Sequence, residues 1–441
     1  MPIGNHIEGC VARSIEERLH SSRGFGRRTF LRRSETGDTT LIEQGHPSKG
    51  ERTTFTEGDT VTQLEPLQAR IPLAMPVLDQ EMRDAASHAL QNERFVGGES
   101  VHKFEEEFAR FCGTKFAVST ASGTAALFLS LIAQGVHGGQ VVTTPASFVA
   151  SANSIIHSGA TPRFADINLR DYTVDPAKVI ASLDKETRAI IPVHLFGFPA
   201  EMDELRRIAS DRRVAIIEDA CQAHGALYKG HRVGSLGNAG CFSFFSSKNM
   251  TVGGDGGMVV TDNESIAESA ASLRDCGRAK GSKYLHTSIG FTERLNTVQA
   301  AVGRVQLRHL DEWNERRRQI ASRYDSLLSD LDEVILPPRG DSSVRPVYHM
   351  YVIRCKHRDD LRVWLDRNGV ETGIHYPDPI HLQPVYRKMF GYRGGEFPNS
   401  EEFCKSVLSI PMHPGLSLDE VKLVSEKIHE FHSGDQGSLG R

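Results

Sequence analysis

The sequence predicts an α/β protein built around a doubly wound, mostly parallel sheet, because short apolar runs alternate with amphipathic stretches from about Ile71 onward. Such alternation is typical of βαβ units, and a sheet of this kind binds its ligand at the carboxyl ends of its strands. With 441 residues, of which 39% are hydrophobic, the chain is long enough for a large buried core and for two or three domains.

Seven strands and four helices are predicted in the first part of this region. Strands are predicted over residues 115–120, 140–143, 163–166, 189–193, 214–219, 240–244 and 258–261. Helices are predicted between them, over residues 123–132, 148–158, 176–183 and 202–212.

Three regions are expected along the chain. Residues 1–66 are rich in Ser, Thr, Gly, Glu and Arg without sustained periodicity, which predicts a flexible extension to which we assign no chemistry. Residues 67–312 form the large α/β domain. A long amphipathic helix begins near Asn296 and links it to residues 313–441, a small α+β domain with a strand over 348–355 and helices over 360–368 and 418–432.

Composition excludes several classes of function. A net charge of -4 offers no basic surface for nucleic acid. Seven scattered cysteines without a C-x-x-C spacing argue against a disulfide framework and a zinc site, so no metal is expected and a reducing, cytoplasmic location fits best. Arg27 and Arg28 resemble an export signal, but polar residues follow them. No apolar run is long enough for a membrane helix.

Lys248 is the first candidate for chemistry. It follows the apolar strand over 240–244 and precedes a glycine-rich turn over 253–257. A lysine held in a partly desolvated cleft has a lowered pKa, and its neutral amine can attack a carbonyl. This is the requirement for a Schiff-base lysine. The alternative is a surface lysine in a flexible turn.

A pair of carboxylates ends another strand about thirty residues earlier. Glu218 and Asp219 follow the apolar run 214–217. A carboxylate at a strand end can meet the pyridinium nitrogen of pyridoxal 5′-phosphate (PLP) and keep it protonated. Because side chains alternate along a strand, Asp219 is expected in the site and Glu218 on the opposite side. The alternative is a purely structural acidic strand end.

Two further segments follow strands of the predicted sheet. Residues 121–127 (Ala-Ser-Gly-Thr-Ala-Ala-Leu) open a helix whose N-terminal N–H groups can hold a phosphate; the alternative is a simple N-cap by Ser122 or Thr124. Phe148 lies just past the next strand and could stack on a cofactor ring; the alternative is a core phenylalanine.

Together with these segments, a series of motifs resembles the DegT/DnrJ/EryC1/StrS sugar aminotransferases over about residues 71–431. The motifs are Ser-Gly-Thr at 122–124, Gly-Ala-Thr-Pro at 159–162, residues 191–197, Glu-Asp-Ala-Cys-Gln-Ala-His-Gly at 218–225, residues 243–249, residues 296–303, Ile-His-Tyr-Pro at 374–377 and Pro-Met-His-Pro at 411–414.

The resemblance implies the type I PLP fold, PLP as cofactor and a homodimer with shared active sites. Lys248 then matches the Schiff-base lysine and the acid/base of the reaction, and Asp219 matches the partner of the pyridine nitrogen. The other matches are Phe148 for stacking, Cys221 beneath the other ring face, Gln222 near the cofactor oxygen, Ser122, Gly123, Thr124, Ala125 and Ser243 for the phosphate, and Asn296 for the phosphate from the other subunit.

The resemblance further implies an amino donor, glutamate or glutamine, and a keto-sugar acceptor. Arg278, His375 and Tyr376 match positions that face the substrate in relatives, with a loop ion pair and a domain-packing pair as alternatives. A nucleotide-linked keto-sugar is the first choice, and an unlinked keto-sugar phosphate or keto-cyclitol is the second. The competing functions are a PLP lyase, aldolase or desulfurase on the same fold and a non-enzymatic binding protein.

Overall fold

The structure, a computed structural model, describes residues 29–33, 39–43 and 70–434. In the unit Met1–Glu65, strands β1 (Thr29–Arg33) and β2 (Thr39–Glu43) pair in antiparallel fashion. Most of the predicted flexible extension over 1–66 lies outside the described residues, so its flexibility stays a prediction. All other elements belong to the unit Pro66–Arg441.

A seven-stranded sheet forms the centre of this unit, in the order β3-β11-β10-β7-β6-β4-β5. Only β11 runs antiparallel to its neighbours, so the predicted α/β class with a mostly parallel sheet is confirmed. Two short strands, β8 (Leu227–Tyr228) and β9 (His231–Arg232), follow β7 outside this sheet. The seven strands are β3 (Phe116–Thr120), β4 (Gln140–Thr143), β5 (Thr161–Phe164), β6 (Thr187–Ile190), β7 (Ala215–Asp219), β10 (Ala239–Ser243) and β11 (Gly257–Thr261).

Helices lie between and around these strands, and the four predicted ones are present with ends shifted by at most two residues. Two helices before β3 were not predicted, and they pack against α8 and the sheet. Phe104 and Phe108 of α2 contact Phe244, and Gly303 of α8 lies so close to Phe104 that a Cβ would meet its ring at 2.7 Å. The helices are α1 (Gln80–Asn92), α2 (Glu99–Cys112), α3 (Gly123–Ala133), α4 (Ala150–His157), α5 (Pro176–Ser182), α6 (Met202–Arg212), α7 (Glu264–Leu273) and α8 (Thr297–Leu328).

The C-terminal lobe has its own sheet and its own apolar core. β14 (Tyr351–Cys355) lies between β12 (Val334–Ile335) and β15 (Val407–Ile410), and all pairs are antiparallel. Ile71 packs into this core and bridges to Val370, so the first residues of the described segment 70–434 belong to the C-terminal lobe. The remaining elements are β13 (Val344–Arg345), which pairs with β8, α9 (Arg358–Arg367), α10 (Pro384–Phe390), α11 (Pro398–Ser406) and α12 (Leu418–His432).

Helix α8 joins the two lobes without interruption. It begins one residue after Asn296, as expected, and the division between residues 312 and 313 falls inside it. The predicted boundary between a domain over 67–312 and a domain over 313–441 therefore stays a proposal. Among the described helices, none is both long and apolar enough to cross a membrane.

Candidate active site

A cavity of about 340 Å³ opens at the carboxyl ends of β3, β4, β7 and β10. This is the edge at which a doubly wound sheet is expected to bind its ligand. The residues that line it are Ser122, Gly123, Thr124, Leu127, Ser147, Phe148, Ala150, Ser151, Asp219, Cys221, Gln222, Ser243, Phe245, Ser247, Lys248, Asp255, His349, Met350, His375 and Tyr376.

Lys248 lies on the loop that follows β10, and its side chain points into the cavity wall. Burial lowers the pKa of its ammonium, while the negative charge that Cys221 and Asp219 can carry opposes this shift. No described residue forms a hydrogen bond or ion pair with the Lys248 Nζ. The sequence placed this lysine in a partly desolvated cleft, and the structure gives it that environment.

Asp219 is the last residue of β7 and is 5% exposed. Its Oδ2 accepts a hydrogen bond from Ser151 Oγ at 2.7 Å, and its Oδ1 accepts one from the Cys221 N–H at 3.2 Å. Ser151 in turn pairs with Ser147 at 2.9 Å. These hydrogen bonds orient the Asp219 carboxylate, which lines the cavity.

Glu218 faces the other side of β7, as alternation along a strand requires. It is fully buried, and its two oxygens accept hydrogen bonds from His194 Nε2 at 3.0 Å and from the N–H groups of Gly234, Leu236 and Gly237 at 2.6–2.7 Å. Its hydrogen-bonding capacity is used within the protein, and of these two neighbouring carboxylates only Asp219 lines the cavity.

The N-terminus of α3 closes one end of the cavity. Ser122 is the N-cap, and its Oγ accepts the Ala125 N–H at 3.1 Å. Ala125 is buried and does not line the cavity, unlike Ser122, Gly123 and Thr124. A Cβ on Gly123 would meet Ser243 Cβ at 2.7 Å and Cys221 Sγ at 2.8 Å, so only glycine allows the helix to approach β10 so closely.

An aromatic and polar wall faces the lysine. The Phe148 ring is 54% exposed and lies 5.9 Å from the Tyr376 ring, centroid to centroid. Gln222 donates to the Tyr376 hydroxyl at 3.2 Å and accepts the Phe196 N–H at 2.8 Å. His375 Nδ1 contacts Ser409 Oγ at 2.8 Å, and burial lowers the pKa of His375 to about 4.

Two predicted site residues lie elsewhere. Arg278 lines a second cavity and forms an ion pair with Asp275 at 3.5 Å, which was the alternative reading of this position. Asn296 caps α8: its Oδ1 accepts the Gln299 N–H at 2.9 Å and its Nδ2 donates to Gln299 Oε1 at 2.6 Å. Within one chain, neither side chain reaches the cavity at the strand ends.

Several cavity residues were not found from the sequence. Ser147, Ser151 and Asp255 are small or loop residues without a distinctive pattern, and His349 stands in the apolar run 347–353. A single histidine in such a run was the only available signal.

The cavity fits PLP in its donor set and its shape. It offers an amine for the aldehyde, a buried carboxylate for the pyridine nitrogen and a helix N-terminus for the phosphate. At this helix N-terminus, the position of Gly123 has no room for a larger side chain. A fold with these groups at the strand ends defines a PLP-dependent transferase.

Comparison with known proteins gives the particular family. The family model of the DegT/DnrJ/EryC1/StrS aminotransferase family matches residues 76–429, and the chain belongs to this family. The dTDP-3-amino-3,4,6-trideoxy-alpha-D-glucose transaminase of Streptomyces venezuelae is 39% identical over 368 residues, which are 82% of this chain and 96% of that protein.

Solved structures agree with this assignment. The crystal structure of S. venezuelae DesV in complex with a ketimine intermediate has a TM-score of 0.79 and 37% identity, and covers 82% of this chain and 98% of DesV. The structure of NtdA from Bacillus subtilis with bound cofactor PMP has a TM-score of 0.77 and 28% identity, and covers 85% and 87% of the two chains. The chain is thus a PLP-dependent sugar aminotransferase with a keto-sugar acceptor.

Proposed function

We propose that this cavity transfers the amino group of glutamate or glutamine to a nucleotide-linked keto-sugar, with Lys248 as the residue that binds PLP and moves the proton. The observation that carries this assignment is the convergence of Lys248, Asp219 and the N-terminus of α3 on one cavity of about 340 Å³. A lone lysine or a lone acidic strand end has structural explanations, but the three groups together match the aldehyde, the pyridine nitrogen and the phosphate of PLP.

Each polar end of the cofactor has a candidate partner. Asp219, held by Ser151 and by the Cys221 N–H, would keep the pyridine nitrogen protonated. Ser122, Gly123, Thr124 and Ser243 would bind the phosphate at the positive end of α3. Phe148 would cover one face of the ring and Cys221 the other, and Gln222 would contact the cofactor's ring oxygen. Bound PLP supplies an electron sink for the bonds at the substrate carbon.

The role of Lys248 follows from its environment. Burial favours the neutral amine, which can attack an aldehyde and later accept a proton from carbon. Once released from the cofactor, the Lys248 Nζ would carry that proton between two carbon atoms.

The acceptor is proposed from the relatives and the wall of the cavity. The S. venezuelae relative is named for a dTDP-linked amino sugar. His375 and Tyr376 present ring nitrogen and hydroxyl groups that can hydrogen-bond sugar hydroxyls. Arg278 does not reach the cavity of its own chain. We therefore propose that it contacts the substrate in the cavity of a second subunit.

A homodimer with shared sites is part of the proposal. Asn296, on the same chain segment as Arg278, would contact phosphate only in the cavity of a partner subunit. The loop between α7 and α8 and the segment before α2 expose large apolar side chains, a pattern that favours an interface. These are Phe95, Val96, Tyr284, Leu285 and Ile289, which are 62%, 52%, 80%, 60% and 93% exposed. Light scattering of the purified protein tests this, and a monomer at micromolar concentration would contradict it.

A cytoplasmic location is also retained as a proposal. The six cysteines of the described residues carry free thiols, which fits a reducing compartment.

The acceptor class is tested by following the amino nitrogen. The holoenzyme is incubated with glutamate labelled with ¹⁵N at the amino group and, separately, with nucleotide-linked keto-sugars, keto-sugar phosphates and keto-cyclitols. Mass spectrometry should detect labelled amino sugar only, or at least ten times faster, with the nucleotide-linked set. Equal or faster labelling of an unlinked acceptor would contradict the proposed substrate class. Release of ammonia or a cleaved product without labelled amino sugar would indicate lyase chemistry.

A further inference from the structure

One glutamine of α8, Gln299, contacts both the N-cap of that helix and the rim of the cavity. Its Oε1 accepts a hydrogen bond from Asn296 Nδ2 at 2.6 Å, and its Nε2 donates to the Asp255 carbonyl oxygen at 2.7 Å. Asp255 lines the cavity, whereas Asn296 does not. A single half-buried side chain therefore connects a residue outside the cavity of its own chain to the loop that borders this cavity.

The donors and acceptors along these hydrogen bonds have a single consistent assignment. A backbone N–H can only donate, so Asn296 turns its Oδ1 to the Gln299 N–H at 2.9 Å and its Nδ2 to the Gln299 side chain. A carbonyl oxygen can only accept, so Gln299 turns its Nε2 to Asp255 and its Oε1 to Asn296. Among the described residues, Gln299 is the only partner of Asn296 Nδ2, which leaves one of its two N–H donors for a ligand.

On the cavity side, Gln299 holds the glycine-rich turn over 253–257. A Cβ on Gly254 would meet Gln299 Nε2 at 3.2 Å, so the turn lies directly against the glutamine. A Cβ on Gly257, at the end of the same turn, would meet the Ser122 carbonyl oxygen at 2.3 Å. Ser122 is the N-cap of α3, the helix that we propose to bind the phosphate. The position of Gln299 therefore affects the phosphate site of its own chain through this turn.

On the other side, Asn296 lies next to the exposed apolar side chains that we propose as part of the dimer interface. Asn296 is exposed and forms an antiparallel bridge with Val96, and the Thr297 N–H donates to the Phe95 carbonyl oxygen at 3.0 Å. Phe95 and Val96 are 62% and 52% exposed. The remaining N–H donor of Asn296 is consequently available to the cavity of a partner subunit that packs on these residues.

We propose that Gln299 is a positioning residue for both cavities of the homodimer. In its own chain it fixes the glycine-rich turn against Ser122. Through Asn296 it orients the N–H donor that contacts the phosphate in the cavity of the partner subunit. The two phosphate sites are then joined by one continuous series of hydrogen bonds and packing contacts. The assignment rests on the proposed homodimer with shared sites, and it adds the residue that couples these sites.

Two mixed dimers separate the two roles of Gln299. Each contains one chain with Lys248→Ala, so that only the cavity of the other chain, the test cavity, can bind PLP covalently. In the first dimer, Gln299→Met is on the chain of the test cavity and removes the support of its own turn. In the second, Gln299→Met is on the Lys248→Ala chain and affects only the Asn296 that reaches the test cavity. Methionine keeps the length of glutamine but lacks the amide.

The readout is the PLP concentration that half-saturates the test cavity. The Lys248 amine and the PLP aldehyde form a C=N bond with loss of water, borohydride reduces this bond by supplying hydride, and mass spectrometry quantifies the adduct at Lys248. A different affinity tag on each chain allows the mixed dimers to be purified. A mixed dimer with Gln319→Met on both chains is the matched control, because Gln319 is an exposed glutamine of the same helix.

Each arrangement of Gln299→Met should raise the half-saturating PLP concentration about fivefold, as expected for the loss of one hydrogen bond, and the control should leave it unchanged. A rise in only one arrangement, or in neither, would overturn the role of Gln299 in both cavities. An equal rise in the Gln319→Met control would overturn it as well.

Asn296→Asp on the Lys248→Ala chain distinguishes this failure from failure of the proposed function. It keeps the helix cap but removes the N–H donor, and an unchanged half-saturating concentration would reject the shared site itself, and the role of Gln299 with it. If Gln299→Met does not fold, a crystal structure of the wild-type dimer with PLP decides. Gln299 Oε1 and Nε2 should lie within about 3.2 Å of Asn296 Nδ2 and the Asp255 carbonyl oxygen, and a separation above about 4 Å at either end would overturn the assignment.

Discussion

The two faces of β7 each carry one acidic residue, and the two residues differ in how many hydrogen bonds they receive from the protein. On one face, Glu218 is fully buried and receives four hydrogen bonds from His194 and three backbone N–H groups. On the other, the Asp219 carboxylate receives two and lines a cavity that Lys248 and His349 also line. A structural carboxylate is surrounded by donors of the protein, whereas a functional one keeps an open side for a ligand.

The largest effect is expected for Lys248→Ala, which removes the only amine of the cavity described here. The variant should fold, bind PLP without a covalent link, and show no amino transfer from glutamate. Mass spectrometry after borohydride treatment and a glutamate turnover assay measure this. Lys178→Ala, on the exposed surface of α5, is the control and should behave as wild type. A borohydride-stable adduct in Lys248→Ala would show that another residue binds the cofactor.

Asp219→Asn should give the next largest effect. The amide keeps the shape of the carboxylate but cannot hold a proton on the pyridine nitrogen, so the glutamate half-reaction should slow by about 100- to 1,000-fold. The free energy of unfolding should change little, because the Asp219 carboxylate has two hydrogen-bond partners among the described residues. Stopped-flow absorbance measures the rate, and a rate within threefold of wild type would show that another group serves the ring nitrogen.

Glu218→Gln tests the opposite face. The new amide would place N–H groups against backbone N–H donors, and we expect the free energy of unfolding to fall by about 3 kcal/mol. The half-reaction of the folded fraction should stay within a few-fold of wild type. Urea unfolding followed by tryptophan fluorescence measures the first quantity. The contrast between the two faces fails if Glu218→Gln slows the reaction as much as Asp219→Asn without loss of stability.

The smallest effect is expected for Gly123→Ala. Its Cβ would press on Ser243 and Cys221 and move α3 away from β10, so PLP should dissociate about tenfold more readily. Gly138→Ala is the matched control, because a Cβ there meets nothing within 4 Å. Equilibrium dialysis of PLP against both variants is the measurement. Equal affinities would show that the close approach of α3 is not needed for phosphate binding.

The fold was predictable because its signals are local. The apolar runs of β4 and β7, and the helix α6, were predicted to within one residue, since strand and helix periodicity is set by neighbouring residues. Helices α1 and α2 were missed: their apolar residues pack on α8, about 200 residues later in the chain. Nor does a local pattern show that Ile71 joins the C-terminal core.

The site was predictable only in part, for the same reason. Asp219 and Ser122 follow from strand alternation and from the start of a helix, which are local rules. Ser151 and His349 are joined to the site by contacts across 68 and 100 residues, to Asp219 and Asn249 respectively, which no spacing indicates. Arg278 and Asn296 were carried over from relatives by position, and their side chains are used within their own chain by Asp275 and Gln299.

The most direct test of amino transfer at Lys248 is the absorption spectrum of the PLP-loaded protein before and after addition of L-glutamate. The visible band of lysine-bound PLP should disappear and the near-ultraviolet band of pyridoxamine phosphate should replace it, with release of 2-oxoglutarate. A visible band that persists with both glutamate and glutamine would contradict aminotransfer from these donors. A protein that binds PLP without any visible band would contradict the assignment of Lys248 itself.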